Sequence, residues 1–288
     1  MSDNDRENRV ALVTGGLRGL GKAMALGLAR EGHPVVAVGH IESDVAEMEA
    51  EAEKMRISRH FRPLAADLRE ASECDRVVAA TRERFGKVDI LVNNAGLTFT
   101  YIDPARFRRN SMQRFWQVGD EIVENVIATN YLAADRLSRR VAPEMIERRW
   151  GRIVNVTTKL DTMNRVGTHP YGASKAALEM ATEVWAKDCA DLGLTVNIVN
   201  PGAGANTPGM AEEMRKASAE GRVSRLVEPD EMVPPLLYVV STAADEVNGW
   251  RFDANLWNPD LPPGEAAWLA GRPAGFVFHP HQDLPTAP

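Results

Sequence analysis

The chain has 288 residues, 44% hydrophobic and 26% charged, the balance of a globular protein with one large α/β domain or two small ones. A formal net charge of −6, with no block of Lys and Arg, argues against a nucleic-acid backbone as the main partner. No apolar run approaches the ~18 residues of a membrane span, so no membrane partner is expected.

The opening "MSDNDRENR" is polar and lacks the apolar stretch of a signal peptide. Cys74 and Cys189 lie far apart, without a CxxC pattern or a nearby histidine pair. Neither a disulfide framework nor a bound metal is expected, and a reducing cytoplasm is the default compartment.

In chain order, short β-branched runs alternate with longer amphipathic segments. The runs are "VALVT" (10–14), "PVVAV" (34–38), "HFRPLAAD" (60–67), "VDILVN" (88–93), "RIVNVT" (152–157) and "LTVNIV" (194–199). Between them, segments such as "GKAMALGLAREG" and "ALEMATEVWAKDCADLG" carry apolar residues at helical spacing. This alternation predicts an α/β fold, a parallel sheet with helices on both faces. The pattern predicts one domain over 1–256, followed by a Pro-rich, irregular tail over 257–288 that could drape over a neighbouring subunit.

The first strand runs into "TGGLRGLGK", Thr14 to Lys22, and then directly into a helix. Gly15, Gly19 and Gly21 let the backbone turn tightly and approach a pyrophosphate at the helix N-terminus, where free N–H groups favour anions. A purely structural turn remains the alternative. The second strand ends in Gly39 and His40, where an NAD site usually places a carboxylate for the adenosine ribose. Nothing negative there repels a 2′-phosphate, and Arg18 can pair with one, so NADP(H) is the expected cofactor, with NAD(H) the alternative. Arg18 can equally be merely solvated. Asp67 either caps the adenine amino group or N-caps the next helix. Leu20 and Leu68 complete this end of the expected cofactor path.

"YGASK" places Tyr171 and Lys175 one helical turn apart on one face. A free tyrosine titrates near pH ~10, and a neighbouring ammonium together with an oxidised nicotinamide would lower that value. Tyr171 can then exchange a proton with an alcohol or carbonyl while hydride moves to or from a cofactor. Alone, such a pair is more often an aromatic and a solvated lysine.

Together, "TGGLRGLG", "NNAG" (93–96), "YGASK" and "NPG" (200–202) occur in one chain in this order. In this combination the sequence resembles the classical short-chain dehydrogenase/reductase family from about Arg9 to Asn258. The resemblance implies a Rossmann-type, doubly wound sheet, a nicotinamide cofactor and an Asn-Ser-Tyr-Lys tetrad. It makes Tyr171 the acid/base, Lys175 its electrostatic partner and a holder of the nicotinamide ribose, and Asn130 of "NYLAADRL" the prop for a water on the lysine. It also sets Asn93, Ala95 and Gly96 beside the cofactor. Pro201, Gly202 and Thr207 line its nicotinamide end, with Thr207 one residue later than is common.

The family serine stands thirteen residues before the tyrosine, and this chain has Thr158 there. Its hydroxyl matches serine in donor and acceptor capacity, while the extra methyl restricts χ1. Thr158 is therefore the expected substrate-orienting hydroxyl, with a strand-end residue of impaired chemistry as the alternative. Thr157 should face the other way and be structural.

The regions that form the family's pocket mouth hold Leu97, Thr98, Tyr101, Phe115, Trp116, Lys159, Met163, His169, Met210 and Met214. The stretch from Gly96 to Asn130 is longer than is common, which suggests an elaborated pocket wall. Met and aromatic side chains suit an apolar substrate, whereas Lys159, Arg106, Arg108 and Arg109 suit an acidic one. The stretch "GWRFDANLW" (249–257) resembles the family's last strand, which usually meets a two-fold mate, so a homo-oligomer is expected; an edge strand covered by its own tail is the alternative. The expected activity is interconversion of a carbonyl and a secondary alcohol on a small molecule. A cofactor-binding sensor without turnover, or an epimerase or dehydratase that recycles its nucleotide, are the competing readings.

Overall fold

The computed structural model describes residues 9–108 and 112–276. The six apolar runs become β1 (Ala11–Thr14), β2 (Val35–Gly39), β3 (Phe61–Ala65), β4 (Ile90–Asn93), β5 (Gly151–Asn155) and β6 (Leu194–Asn200), and β7 (Trp250–Asp253) and β8 (Gly271–Pro273) follow. They form one sheet in the order β3-β2-β1-β4-β5-β6-β7-β8. Every neighbouring pair is parallel except β7 and β8.

The helices are α1 (Gly19–Arg30), α2 (Glu42–Lys54), α3 (Ala71–Phe85), α4 (Phe99–Ile102), α5 (Asp120–Ile127), α6 (Ala133–Glu147), α7 (Leu160–Met163), α8 (Tyr171–Asp188), α9 (Glu212–Ala219), α10 (Val233–Val240) and α11 (Pro263–Ala270). Period-two alternation along the strands sorts the core into two layers. Ala11, Val13, Val35, Ala37, Ile90, Val92 and Val154 pack with Met24 and Leu28 of α1, Met48 of α2, and Leu236 and Val239 of α10. Leu12, Val36, Val38, Leu91 and Ile153 pack on the other side with Cys74 and Val78 of α3, Leu137 and Val141 of α6, and Ala186 of α8. Strands buried on both faces explain why the runs are almost continuously apolar. The fold is a Rossmann-type, doubly wound α/β sheet. Strand order reverses between β1 and β4, and the loops leaving their carboxyl ends diverge there into a crevice suited to a ligand.

The tail differs from the irregular segment expected. Pro262 and Pro263 sit at the N-terminal end of α11, where a missing N–H costs nothing, and Ala266, Ala267 and Ala270 are buried. β8 then adds antiparallel to β7, with Arg251 opposite Arg272. Residues 263–276 thus cover their own chain, and the hydrogen-bonding edge of β7 is filled from within. Composition misled because the prolines punctuate the ends of elements rather than abolish them. Residues 277–288 of the expected tail lie outside the described residues, as does Arg109.

Candidate active site

β1 ends at the crevice on Thr14. Its hydroxyl accepts the backbone N–H groups of Asn94 and Ala95, each at 3.0 Å. The Asn94 amide nitrogen donates to the carbonyls of Thr14 (2.9 Å) and Gly15 (3.2 Å), which stitches the ends of β1 and β4 together. Gly15 (φ +61°) and Gly19 (φ +56°) are left-handed, and a Cβ on Gly21 would lie 2.1 Å from the Gly15 carbonyl oxygen. Only glycine closes this turn at that separation. The turn delivers Leu20 and Gly21 into the first turn of α1, whose unpaired N–H groups face the crevice. Thr207 stands opposite, its Cβ 3.3 Å from where a Gly19 Cβ would be. Positive-φ backbone and a helix N-terminus, with Thr207 across from them, fit the phosphates of a dinucleotide.

At the adenosine end, Arg18 is paired with Asp44 in the first turn of α2 (3.2 Å), so it is not simply solvated. Gly39 receives the Ala66 N–H on its carbonyl at 2.8 Å, and His40 is exposed beyond it. Asp67 is gripped by the Arg69 guanidinium (2.9 Å to Oδ1, 2.6 Å to Oδ2) and accepts the Arg69 N–H at 3.1 Å. That fork holds the Asp67 carboxyl below its ordinary range. Asp67 does not cap α3, whose N-cap is Glu70. The Leu68 side chain is buried in the core, leaving only its backbone for a ligand.

Tyr171 opens α8 and Lys175 follows one turn later. Lys175 is buried, and its ammonium donates to the Val156 carbonyl at 2.7 Å. Burial pushes its pKa down to about 8. Burial pushes the Tyr171 phenol upward, and a hydrogen bond with the Thr158 hydroxyl pulls the other way. Within the chain itself, burial and Thr158 are the causes acting on the phenol, while the Lys175 ammonium is held by the Val156 carbonyl. Asn130 lies in a π-helical turn, Ala128–Leu132, that joins α5 to α6. It accepts the Leu97 N–H (2.7 Å) and donates to the Leu97 carbonyl (3.1 Å) and to the Ser174 hydroxyl (3.0 Å). Gly96 passes between: a Cβ there would be 3.5 Å from both Asn130 Oδ1 and Lys175 Nζ. Asn130, Tyr171, Lys175, Thr158, Ala95 and Gly96 thus converge at the carboxyl end of β4 and β5.

Asn93 faces the sheet interior, donating to Asn155 Oδ1 (2.9 Å) and Ser138 Oγ (3.1 Å). Pro201 and Gly202 are buried, and a Cβ on Gly202 would collide with Asn255 Oδ1, so these two shape the loop that carries Thr207.

Sequence reasoning missed the charge network behind the phenol. Thr157, turned inward as expected, donates to Glu179 Oε2 at 2.8 Å and accepts from Arg251 Nη1 at 3.0 Å. Arg251 also pairs with Glu179 (2.7 Å), donates Nη2 to the Thr158 carbonyl (2.8 Å), and reaches Asp253 through Nε (3.1 Å). Asn200 donates to Asp253 and accepts the Gly202 N–H at 2.8 Å. Arg251 and Glu179 are both at most 1% exposed. One guanidinium therefore fixes the carbonyl of Thr158, the helix carrying Tyr171 and Lys175, and the loop after β6. The only signal in the sequence was Glu179 four residues beyond Lys175, and nothing marked its partner. Asn94 and Thr14 were visible inside quoted motifs but had no assigned contact.

At the mouth, the Phe99 ring lies 4.7 Å from that of Tyr171. Thr98 and Thr100 both donate to the Gly209 carbonyl (3.0 and 2.9 Å), so α4 meets the loop after β6. Phe115 and Trp116 are exposed, and Phe115 reaches the His169 ring at 6.3 Å. Met163 is buried, while Met210 and Met214 are half-buried. Tyr101 turns away from the phenol: its oxygen accepts from Asn125, which in turn accepts from Arg69. Lys159 is paired with Asp161 (3.2 Å) and Arg108 with Glu213 (3.6 Å). Among the described residues no cluster of His, Cys, Asp and Glu could hold a metal, and no helix is long and apolar enough to cross a membrane.

Sheet, glycine turn and Tyr-Lys helix together define an oxidoreductase of the nicotinamide-dependent Rossmann type. The model of the short chain dehydrogenase family matches residues 9–218, and the chain belongs to that family. It is 33% identical over 252 residues to the 3-oxoacyl-[acyl-carrier-protein] reductase of Vibrio cholerae, covering 86% of this chain and 96% of that one. It is 32% identical over 251 residues to a 2-dehydro-3-deoxy-D-gluconate 5-dehydrogenase of Pseudoalteromonas atlantica, covering 84% and 92%. Among solved structures, an actinorhodin polyketide ketoreductase variant with NADPH superimposes with a TM-score of 0.71 at 29% identity, covering 84% of this chain and 94% of that one.

Proposed function

We propose that this chain interconverts a carbonyl and a secondary alcohol on a small molecule, prefers NADP(H), and uses Tyr171 as its general acid/base. The observation that carries the reading is Tyr171 at the start of α8 with buried Lys175 one turn along, its ammonium held at the Val156 carbonyl and close to Gly96 and Asn130.

The bound nicotinamide supplies or accepts the hydride. In reduction, the substrate carbonyl oxygen takes hydrogen bonds from the Tyr171 and Thr158 hydroxyls, which polarise it, and the phenol delivers its proton to the forming alkoxide. The raised pKa of Tyr171 keeps that proton in place at neutral pH. In oxidation, the alcohol proton passes to the phenolate, which the Thr158 hydrogen bond stabilises. Lys175, charged below about pH 8, holds the nicotinamide ribose and contributes positive charge to the centre. Asn130 braces Leu97 and Ser174 on either side, keeping the wall and the helix start in register.

Arg18 and exposed His40, with no carboxylate at the end of β2, support the NADP(H) preference; Arg18 would share its charge between Asp44 and a 2′-phosphate. NADPH is expected to bind more tightly than NADH, with the gap shrinking in Arg18→Ala. Equal affinities, unmoved by the substitution, overturn the preference. Self-association into a homo-oligomer belongs to the same proposal.

The activity is tested by following reduced-nicotinamide absorbance with a panel of ketones. Thr158→Val should lower turnover about 10²-fold, the loss of one transition-state hydrogen bond, while Thr158→Ser keeps most of it. Tight NADPH binding with silence across a broad panel would instead mark a sensor.

A further inference from the structure

Among the described residues at the mouth, Arg106 and Arg165 form no ion pair. Lys159 and Arg108 are each paired with a carboxylate and exposed. Arg106 is half-buried, and its guanidinium carbon stands 4.4 Å from the centre of the Phe99 ring. Since Phe99 is itself 4.7 Å from the Tyr171 ring, the guanidinium is no farther from the phenol ring than those two distances laid end to end. One amino group donates to the Gly167 carbonyl, in the loop that leads into Tyr171, and the other reaches the Met112 sulfur, at 3.9 Å. Arg106 thus bridges the two walls of the pocket, after β4 and before α8.

Burial lowers the Arg106 pKa, the like charge of exposed Arg165 in the same loop adds to that, and Asp103 acts in the other direction. Among the described residues neither arginine forms an ion pair. A half-buried guanidinium held over Phe99, with no ion pair among the described residues, is poorly accounted for by folding alone, because withdrawing an unpaired cation from water is costly. Its fork geometry matches an oxyanion.

We propose that Arg106 binds a carboxylate on the substrate, so that the natural substrate is a short keto acid or the corresponding hydroxy acid. This deepens the proposed reductase activity and rests on it. The carboxylate is a spectator: hydride and the Tyr171 proton add across the carbonyl to give the hydroxy acid, and no other bond changes. Phe99, in contact with both groups, forms the apolar wall along which the chain between carbonyl and carboxylate lies.

The test is a homologous series of keto acids, each paired with its methyl ester, assayed with NADPH. The best acid should exceed its ester in kcat/KM about tenfold or more, the worth of one charge-assisted pair. Arg106→Gln should collapse that ratio toward one and Arg106→Lys should restore part of it. In parallel, the acid but not the ester should raise the melting temperature of the NADPH complex, and Arg106→Gln should remove that rise. An acid-to-ester ratio near one in the wild-type chain, or a ratio unmoved by Arg106→Gln, overturns the proposal and leaves Arg106 as a tie between loops. If neither compound is reduced, the melting shift still decides: a rise with the acid that Arg106→Gln removes supports the anion site while sinking the reductase reading.

Discussion

Behind the Tyr171 phenol and in front of it, the cleft is built in opposite ways. Behind it, Arg251 uses every nitrogen of its guanidinium on Thr157, Thr158, Glu179 and Asp253, with no solvent in reach. In front, Phe115 and Trp116 are 66% and 69% exposed, and among the described residues neither Arg106 nor Arg165 forms an ion pair. The contrast teaches where geometry is fixed by the fold and where it is left for a ligand to complete. A satisfied buried network sets the position of the hydroxyl that must meet the reacting oxygen. An unsatisfied rim belongs where recognition takes place.

The strongest way to break this comparison is to remove the guanidinium. Arg251→Met leaves the buried Glu179 carboxylate with the more distant Arg272, at 3.7 Å, as its counter-charge, and should cost about 3 kcal/mol in denaturant unfolding. The double change Arg251→Met with Glu179→Leu should recover a good part of that, since a matched apolar pair needs no counter-charge. A single substitution costing less than about 1 kcal/mol would show the network to be dispensable.

Lys175 sharpens the comparison through pH. Its folded pKa of about 8 lies below the ordinary lysine value of 10.5. Below pH 8 both states hold the proton and the burial penalty is felt in full. Above it the folded chain has released a proton that the unfolded chain still binds, so stability rises with pH across that window. The wild-type chain should show up to about 1.4 kcal/mol per pH unit more slope there than Lys175→Met. Identical slopes would mean the ammonium is better solvated than its burial implies.

The smallest effect is expected at the rim. Phe115→Ala and Trp116→Ala should each stay within about 0.5 kcal/mol of wild-type stability, because nothing in the fold packs over them. A loss of several kcal/mol from either would erase the distinction between the two regions.

The sheet was legible because strands covered on both faces must be apolar throughout, and the Gly-rich turn because only glycine tolerates the approach of Gly21 to Gly15. The convergence of Asn130, Thr158, Tyr171 and Lys175 followed from motif order. Less legible was anything that depends on two distant side chains finding each other. Arg251 and Glu179 stand 72 residues apart, and each alone reads as a surface charge. Tyr101 could be placed near the mouth but not aimed, since its direction is set by Asn125 and Arg69. The tail failed for a local reason: composition reports proline content, whereas the outcome turned on where in the helix and strand the prolines fall.

β8 is three residues long, ends on Pro273, and pairs its Gly271 with Phe252. The outer border of the sheet is therefore short and blunted by a residue with no N–H to offer. A neighbouring polypeptide has almost nothing there onto which to splice a ninth strand. At this border, contact with another copy would have to use side chains rather than a continued ladder, which guards this edge against the edge-to-edge stacking that open sheets invite.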